Sequence, residues 1–293
     1  MSFTTKDFSS KKEKYMDDLM TLSQYAWENR VDKTLIDRWL QNFNHDDEKI
    51  IALEILTKFV YFTEKEILRL CEVAFQKLLV RIGTINNERI SIDLSSIRTK
   101  YLPKCRFFGA GYPSESGSFL LYPFRQRNSL PTSLFPSNLN EVDSSTEFAV
   151  FLDDIAASGD TACGFWEEAE RISLSGKIRF FYLALLAYDR GIEEIEKNTG
   201  FEVIACQTFD DSCRAFGDGS WIFPEKEKRK KAKEISEKYG KKVYCDWPLG
   251  FQGFQGLIGF HHNVPDTTLP IIWAKNGWFP IFERYEKKKV IET

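Results

Sequence analysis

Two adjacent carboxylates, Asp153 and Asp154, follow the apolar run Phe148, Ala149, Val150, Phe151 and Leu152, and a turn of small residues follows them. An ionised carboxylate only accepts hydrogen bonds, whereas a sugar offers neighbouring hydroxyl donors, so an Asp-Asp pair at the carboxyl end of a strand suits a vicinal diol. Residues 156–161 carry no bulky side chain. Their backbone N–H groups can converge on an oxyanion at the positive end of a following helix. Ser158 and Thr161 can add hydroxyl donors, and Gly159 permits close approach or a positive φ. Asp160 would repel a phosphate and is expected to face solvent or to cap the helix. The ligand that fits this set is a phosphorylated sugar. The plainer alternative is a strand that ends in a solvated acidic pair beside a helix cap.

The order of these residues, an apolar strand, Asp153-Asp154, two small residues and then Ser158-Gly159-Asp160-Thr161, resembles the signature of type I phosphoribosyltransferases for phosphoribosyl pyrophosphate (PRPP). The resemblance implies that Asp153 and Asp154 are the catalytic carboxylates. They would orient the ribose hydroxyls and the shell of a magnesium ion, the implied cofactor, bound through substrate or water. It implies that Ala157, Ser158, Gly159, Asp160 and Thr161 hold the 5-phosphate. The reaction would displace pyrophosphate from C1 of the ribose, by positioning and charge neutralisation more than by proton transfer. A second anion loop is then expected. Gly109, Ala110 and Gly111 end an earlier strand in a small-residue turn that resembles the pyrophosphate loop, and Arg125 and Arg127 carry guanidinium forks suited to that leaving group. An ordinary strand-to-helix turn and a solvated loop explain the same residues.

Towards the C-terminus, residues 248–273 mix aromatic and polar side chains, and His262, Asn263 and Thr268 are candidates for reading a base. A turn held by Asn, Asp and Pro is the alternative. Together with the N-terminal helical pattern, this string resembles the phosphoribosyltransferase-like proteins of bacterial conflict loci, including retron-associated anti-phage systems. That resemblance implies an effector, with a protein partner for the N-terminal helices. A non-catalytic nucleotide sensor is the alternative from another class, and nucleotide salvage ranks lower.

The elements that must position these residues fall into two textures. Between residues 11 and 79, apolar side chains recur at helical spacing, as in Tyr15, Leu19, Leu22 and Tyr25, which predicts four helices and no strand. Beyond, short apolar runs at 90–94, 105–108, 148–152, 178–186, 202–207 and 257–260 alternate with helical stretches. The expected fold is α/β: a mostly parallel twisted sheet of type I phosphoribosyltransferase kind (89–293), preceded by an all-helical module (1–88) and closed by a C-terminal hood-like segment.

Composition limits the remaining choices. The 43% of hydrophobic residues supplies a large core, and the net charge of −3 gives no overall basic field for nucleic acid, so nucleic-acid binding stays open without support from charge. The basic run 225–242 is interleaved with glutamates, which predicts a solvated surface helix. The N-terminal stretch is polar and no apolar run reaches the roughly 20 residues a bilayer requires, so a cytoplasmic protein without membrane contact is expected, its homo-oligomeric state open. Six cysteines without a CxxC pair and three histidines argue against a zinc site or a disulfide scaffold. Cys163 is expected in the first turn of the helix after the phosphate loop, where the dipole would lower its pKa.

Overall fold

A computed structural model describes residues 5–86, 93–111, 116–171 and 178–285. In chain order come α1 (Thr5–Tyr25), α2 (Lys33–Leu40), α3 (Asp46–Leu56), β1 (Val60–Phe62), α4 (Glu64–Ile85), α5 (Leu94–Tyr101), β2 (Cys105–Gly109) and α6 (Ser116–Arg127). Then follow β3 (Phe148–Ala156), α7 (Asp160–Arg171), β4 (Arg179–Tyr188), α8 (Asp189–Asn198), β5 (Phe201–Phe209), α9 (Lys226–Val243), β6 (Ile258–Phe260) and α10 (Pro270–Trp273). These build two compact units, residues 65–210 and residues 1–64 with 211–293. The expected division at residue 88 follows a change of secondary structure. Packing instead groups nearly all of α4 with the four-stranded sheet, and α1 to α3 with the C-terminal elements.

In the unit 65–210, β2, β3, β4 and β5 lie side by side in that order, all parallel. The expected strands at 105–108, 148–152, 178–186 and 202–207 are all present, and β3 runs on past the acidic pair to Ala156. Alternation along β2 sends successive side chains to opposite faces. Phe107 meets Phe124 of α6 at 5.4 Å and Phe135 at 5.2 Å, while Phe108 stacks on Phe151 of β3 at 5.0 Å. On the Phe151 face, Phe165 and Trp166 of α7 pack with Phe201. On the other, α4 joins through Phe75, 6.0 Å from Phe124. With both faces covered, β3 is buried from Phe148 to Asp154, the continuous apolar reading that parallel strands share. Of the strand expected at 90–94, residues 90–92 lie outside the described residues, and Leu94 opens α5 behind Asp93, whose carboxylate accepts the Ser95 amide at 2.8 Å.

In the other unit the core is aromatic, and its indole N–H groups close onto C-terminal backbone. Trp39 and Trp278 both donate to the carbonyl of Ile271, at 2.8 and 2.9 Å, and Trp273 donates to that of Thr268 at 2.9 Å. Strand β1, which the helical spacing did not foretell, pairs in parallel with β6, Val60 opposite Ile258 and Phe62 opposite Phe260. The run at 257–260 therefore belongs to a separate two-stranded sheet and not to the main one. Three-residue strands are too short to display a period, so only the pairing reveals them. Among the described residues no helix is long and apolar enough to cross a membrane.

The basic helix α9 is more than a solvated surface. Ala232, Ile235 and Tyr239 are buried, and its lysines reach the acidic α3: Lys231 pairs with Asp47 at 3.0 Å and Lys238 with Glu48. Glu48 is 7% exposed and also accepts from the Tyr239 hydroxyl at 2.5 Å and the His45 amide at 3.1 Å. Burial alone would raise its pKa, but these donors outweigh it and hold the carboxyl below its ordinary value of 4.5. A depressed value means that this contribution to stability is complete above about pH 5 and is lost as pH falls through the folded-state value. Glu48→Ala is expected to lower the unfolding free energy by about 2 kcal/mol in denaturant titrations. Glu48→Gln should flatten the acid limb of melting temperature against pH; an unchanged limb would show that Glu48 does not carry it.

Candidate active site at the carboxyl ends of β2 and β3

The site begins with two close backbone approaches. A Cβ on Gly109, the last residue of β2, would lie 2.6 Å from the Ser118 nitrogen, and one on Gly117 would lie 2.4 Å from the Ala110 carbonyl oxygen. Without side chains, these glycines let the first turn of α6 rest directly on the strand ends, where the Ala110 amide donates to the Leu152 carbonyl at 2.8 Å. Gly111 has φ +79, a left-handed conformation glycine adopts freely. Of the expected pyrophosphate loop, Gly109, Ala110 and Gly111 are therefore at the strand ends, beside the acidic pair. Arg125 and Arg127 are not brought there. They sit in the last turn of α6, about 14 Å (Arg125) and about 17 Å (Arg127) along the axis from Ser116 at about 1.5 Å per residue. Arg127 pairs with Glu72 of α4 at 2.7 Å, and the Arg125 guanidinium lies 5.5 Å from the Tyr122 ring centroid.

At its start, α6 presents Ser116 to the carboxylates, with its hydroxyl 2.9 Å from Asp154 Oδ1 and 3.4 Å from Asp153 Oδ1. Asp153 Oδ1 also accepts the Asp154 amide at 2.9 Å, and Asp153 Oδ2 accepts the Tyr182 hydroxyl from β4 at 2.5 Å. Both aspartates are only 6% exposed. Burial, and then the neighbouring charge of Asp154, push the Asp153 carboxyl well above the ordinary carboxylate range, while the Tyr182 hydrogen bond works the other way. Asp153 therefore holds a proton more tightly than an isolated carboxylate does.

The residues between β3 and α7 form a tight bend. Gly159 has φ +84, and a Cβ there would lie 3.2 Å from Ile195 of α8. The Ser158 hydroxyl accepts the Asp160 amide at 3.3 Å, and Asp160 opens α7 with an exposed side chain, as expected. Ala157 is buried, whereas Thr161 is exposed on the first turn of α7. Helix α8 braces the bend from below, since a Cβ on Gly191 would lie 2.3 Å from the Ala157 carbonyl oxygen. Residues 157–161 thus join a strand end to a helix N-terminus, the setting in which backbone amides and the helix dipole receive an anion. Cys163 corrects the expectation drawn from that dipole. Burial, then the charges of Glu194 and Asp160, push its thiol up and not down.

The family model PRTase-CE, phosphoribosyltransferase-like, matches residues 36–284. The chain belongs to this family. A solved structure, the orotate phosphoribosyltransferase from Aeropyrum pernix, is similar at 17% identity and a TM-score of 0.28, over 47% of this chain and 70% of that one. No curated protein matches. The four-stranded parallel sheet of this PRTase-CE chain agrees with a phosphoribosyltransferase-like α/β fold.

The base-reading candidates lie in the other unit. His262 and Asn263, with Tyr61, Phe260, Phe282 and Tyr285, border a cavity of about 230 Å³. Thr268 does not, because it is fully buried and its hydroxyl is bonded to the Ile258 carbonyl at 2.5 Å. Two contributors to the acidic site escaped the sequence reading. Ser116 passed as one of several serines in a turn, and Tyr182 as one aromatic in the strand FFYLALLAY. The signal for Tyr182 was its hydroxyl, which must find a partner in a strand otherwise apolar.

The glycine contacts make a direct expectation. Gly117→Ala should lower the unfolding free energy by about 2–3 kcal/mol, since the facing atoms are backbone and cannot give way. Gly164→Ala on α7, with open space around its Cβ, should raise it by about 0.5–1 kcal/mol. Equal effects of both in denaturant unfolding would show that the close approach is not needed.

Proposed function

We propose that this protein binds PRPP or a related nucleotide at the carboxyl ends of β2 and β3 and carries out magnesium-assisted chemistry at C1 of the ribose. The observation that supports this reading most is the adjacency of a buried carboxylate pair and a helix-opening small-residue bend on one strand, β3, within a chain of the PRTase-CE family. The pair would receive the diol, residues 157–161 the 5-phosphate, and residues 109–111 the pyrophosphate. Arg125 and Arg127 have no part in this reading, because α6 carries them away from the pair.

The donor set suits magnesium only as a guest that arrives with its substrate. Asp153 and Asp154 offer the hard oxygens that magnesium prefers, but among the described residues no three ligating side chains cluster. Substrate oxygens and water would complete the shell. Bound there, the ion would neutralise the departing pyrophosphate. The chain's own contribution is to orient the ribose through the carboxylates, hold the phosphate on backbone amides, and keep the strand ends shielded by α6.

An effector role in a bacterial conflict system, with a protein partner, rests on the resemblance of the helical segment and residues 248–273 to that group. Phage plating on cells with and without the intact acidic pair tests it. For the biochemical reading, calorimetry with PRPP and magnesium is expected to show binding by the native chain and none by Asp153→Asn/Asp154→Asn, with circular dichroism unchanged. Pyrophosphate release across a panel of bases, nucleotides and nucleic acids separates an enzyme from a protein that only binds. Equal PRPP affinity in the double variant would remove the assignment.

A further inference from the structure

We propose that the two aspartates are not equivalent: Asp154 is the carboxylate that meets the ligand's hydroxyls, and Asp153 is a positioning residue that Tyr182 locks in place. The proposal rests on the reading of the strand ends as a PRPP site and divides the labour within it. Both oxygens of Asp153 are already engaged, Oδ2 accepting from the Tyr182 hydroxyl at 2.5 Å and Oδ1 from the Asp154 amide at 2.9 Å and, at the longer distance of 3.4 Å, from the Ser116 hydroxyl. The second bond ties the Asp153 side chain to the peptide that sets the direction of Asp154. The pairing of β3 with β4 keeps one register on either side of Asp154, with Asp153 opposite Ala184 and Ile155 opposite Leu186.

Tyr182 cannot swing away easily. It is 1% exposed, and its ring lies edge-on to Phe201 at 5.6 Å within the aromatic layer under α7 and α8. Strand alternation puts Asp153 on that face with Phe151 and Asp154 on the opposite one. Asp154 accepts a hydrogen bond of another kind, from the hydroxyl of Ser116 at 2.9 Å on the first turn of α6. A ribose hydroxyl can replace a serine hydroxyl one for one, donor for donor. Taking the tyrosine hydroxyl from Asp153 would instead deprive a buried carboxylate oxygen of its donor, which is far costlier. Ligand hydroxyls are thus expected to displace Ser116 from Asp154 and leave the Tyr182–Asp153 bond untouched.

The test uses the full chain, with calorimetry for PRPP and magnesium and denaturant unfolding of the ligand-free protein, on Asp153→Asn, Asp153→Ala, Asp154→Asn, Tyr182→Phe and the Tyr182→Phe/Asp153→Ala pair. Asp154→Asn is expected to weaken PRPP roughly 100-fold, while its unfolding midpoint stays equal or rises because a like charge has gone. Asp153→Asn keeps an amide that can still bond Tyr182 and should hold affinity within about tenfold of native. Asp153→Ala should lose more, and so rescue by the isosteric amide marks positioning as opposed to ligand contact. In unfolding, Tyr182→Phe and Asp153→Ala should each lower the midpoint, and together no more than the worse of the two. A loss at Asp153→Asn as deep as at Asp154→Asn, or additive unfolding effects of the Tyr182 and Asp153 variants, overturns the proposal. If the native chain binds no PRPP, the functional reading fails on its own, and the coupling in unfolding still decides whether Tyr182 locks Asp153.

Discussion

Two carboxylates placed side by side in a buried strand end are the constraint to which the sheet unit answers. Neither can be taken out of water without hydrogen-bond donors, and each raises the cost of ionising the other. The chain answers from three directions: a tyrosine from the adjacent strand, a serine from the helix above, and the backbone amide of the second aspartate itself. Each donor requires an element in a set place. Tyr182 needs β4 in register, with Tyr182 opposite Phe151. Ser116 needs α6 to start directly over the strand ends.

That second requirement explains the glycines better than any demand for flexibility. Gly109 faces the backbone of Gly117 and Ser118, Gly117 faces that of Ala110 and Leu152, and Gly191 meets the bend after β3 in the same way, at separations no side chain would permit. Gly159 and Gly111, by contrast, take left-handed dihedral angles. At the strand ends backbone therefore packs directly on backbone. Preorganisation of this kind lets amides favour an anion without first being reordered, which is the main source of catalytic power when little proton transfer is involved.

How much of this could be read from the sequence depended on distance along the chain. The acidic pair, the bend and the helix after it occupy consecutive residues, so their chemistry and order were visible together, and the four strands showed as apolar runs. Arg125 and Arg127 misled because proximity in sequence was taken for proximity in space, whereas twelve residues of helix separate the ends of α6. Tyr182 and Ser116 stayed hidden for the converse reason, each contributing a single hydroxyl from 29 and 37 residues away. The pairing of β1 with β6 joins the two ends of the chain, and no local pattern encodes it.

The basic run shows how composition misleads when its partner is distant. Read alone, lysines 228, 231 and 238 belong to a cationic helix with a choice between solvent and nucleic acid. In the structure they meet Glu54, Asp47 and Glu48 of α3. Exposed pairs of this sort contribute little stability individually. Their effect is on recognition, because a cation already facing a carboxylate offers a phosphate backbone a weaker field and must give up one partner to gain another. The buried side of α9, through Tyr239 and its bond to Glu48, fixes the register in which the charges meet. A cationic helix is thus built into the core of its unit, with Ala232, Ile235 and Tyr239 buried beneath its lysines.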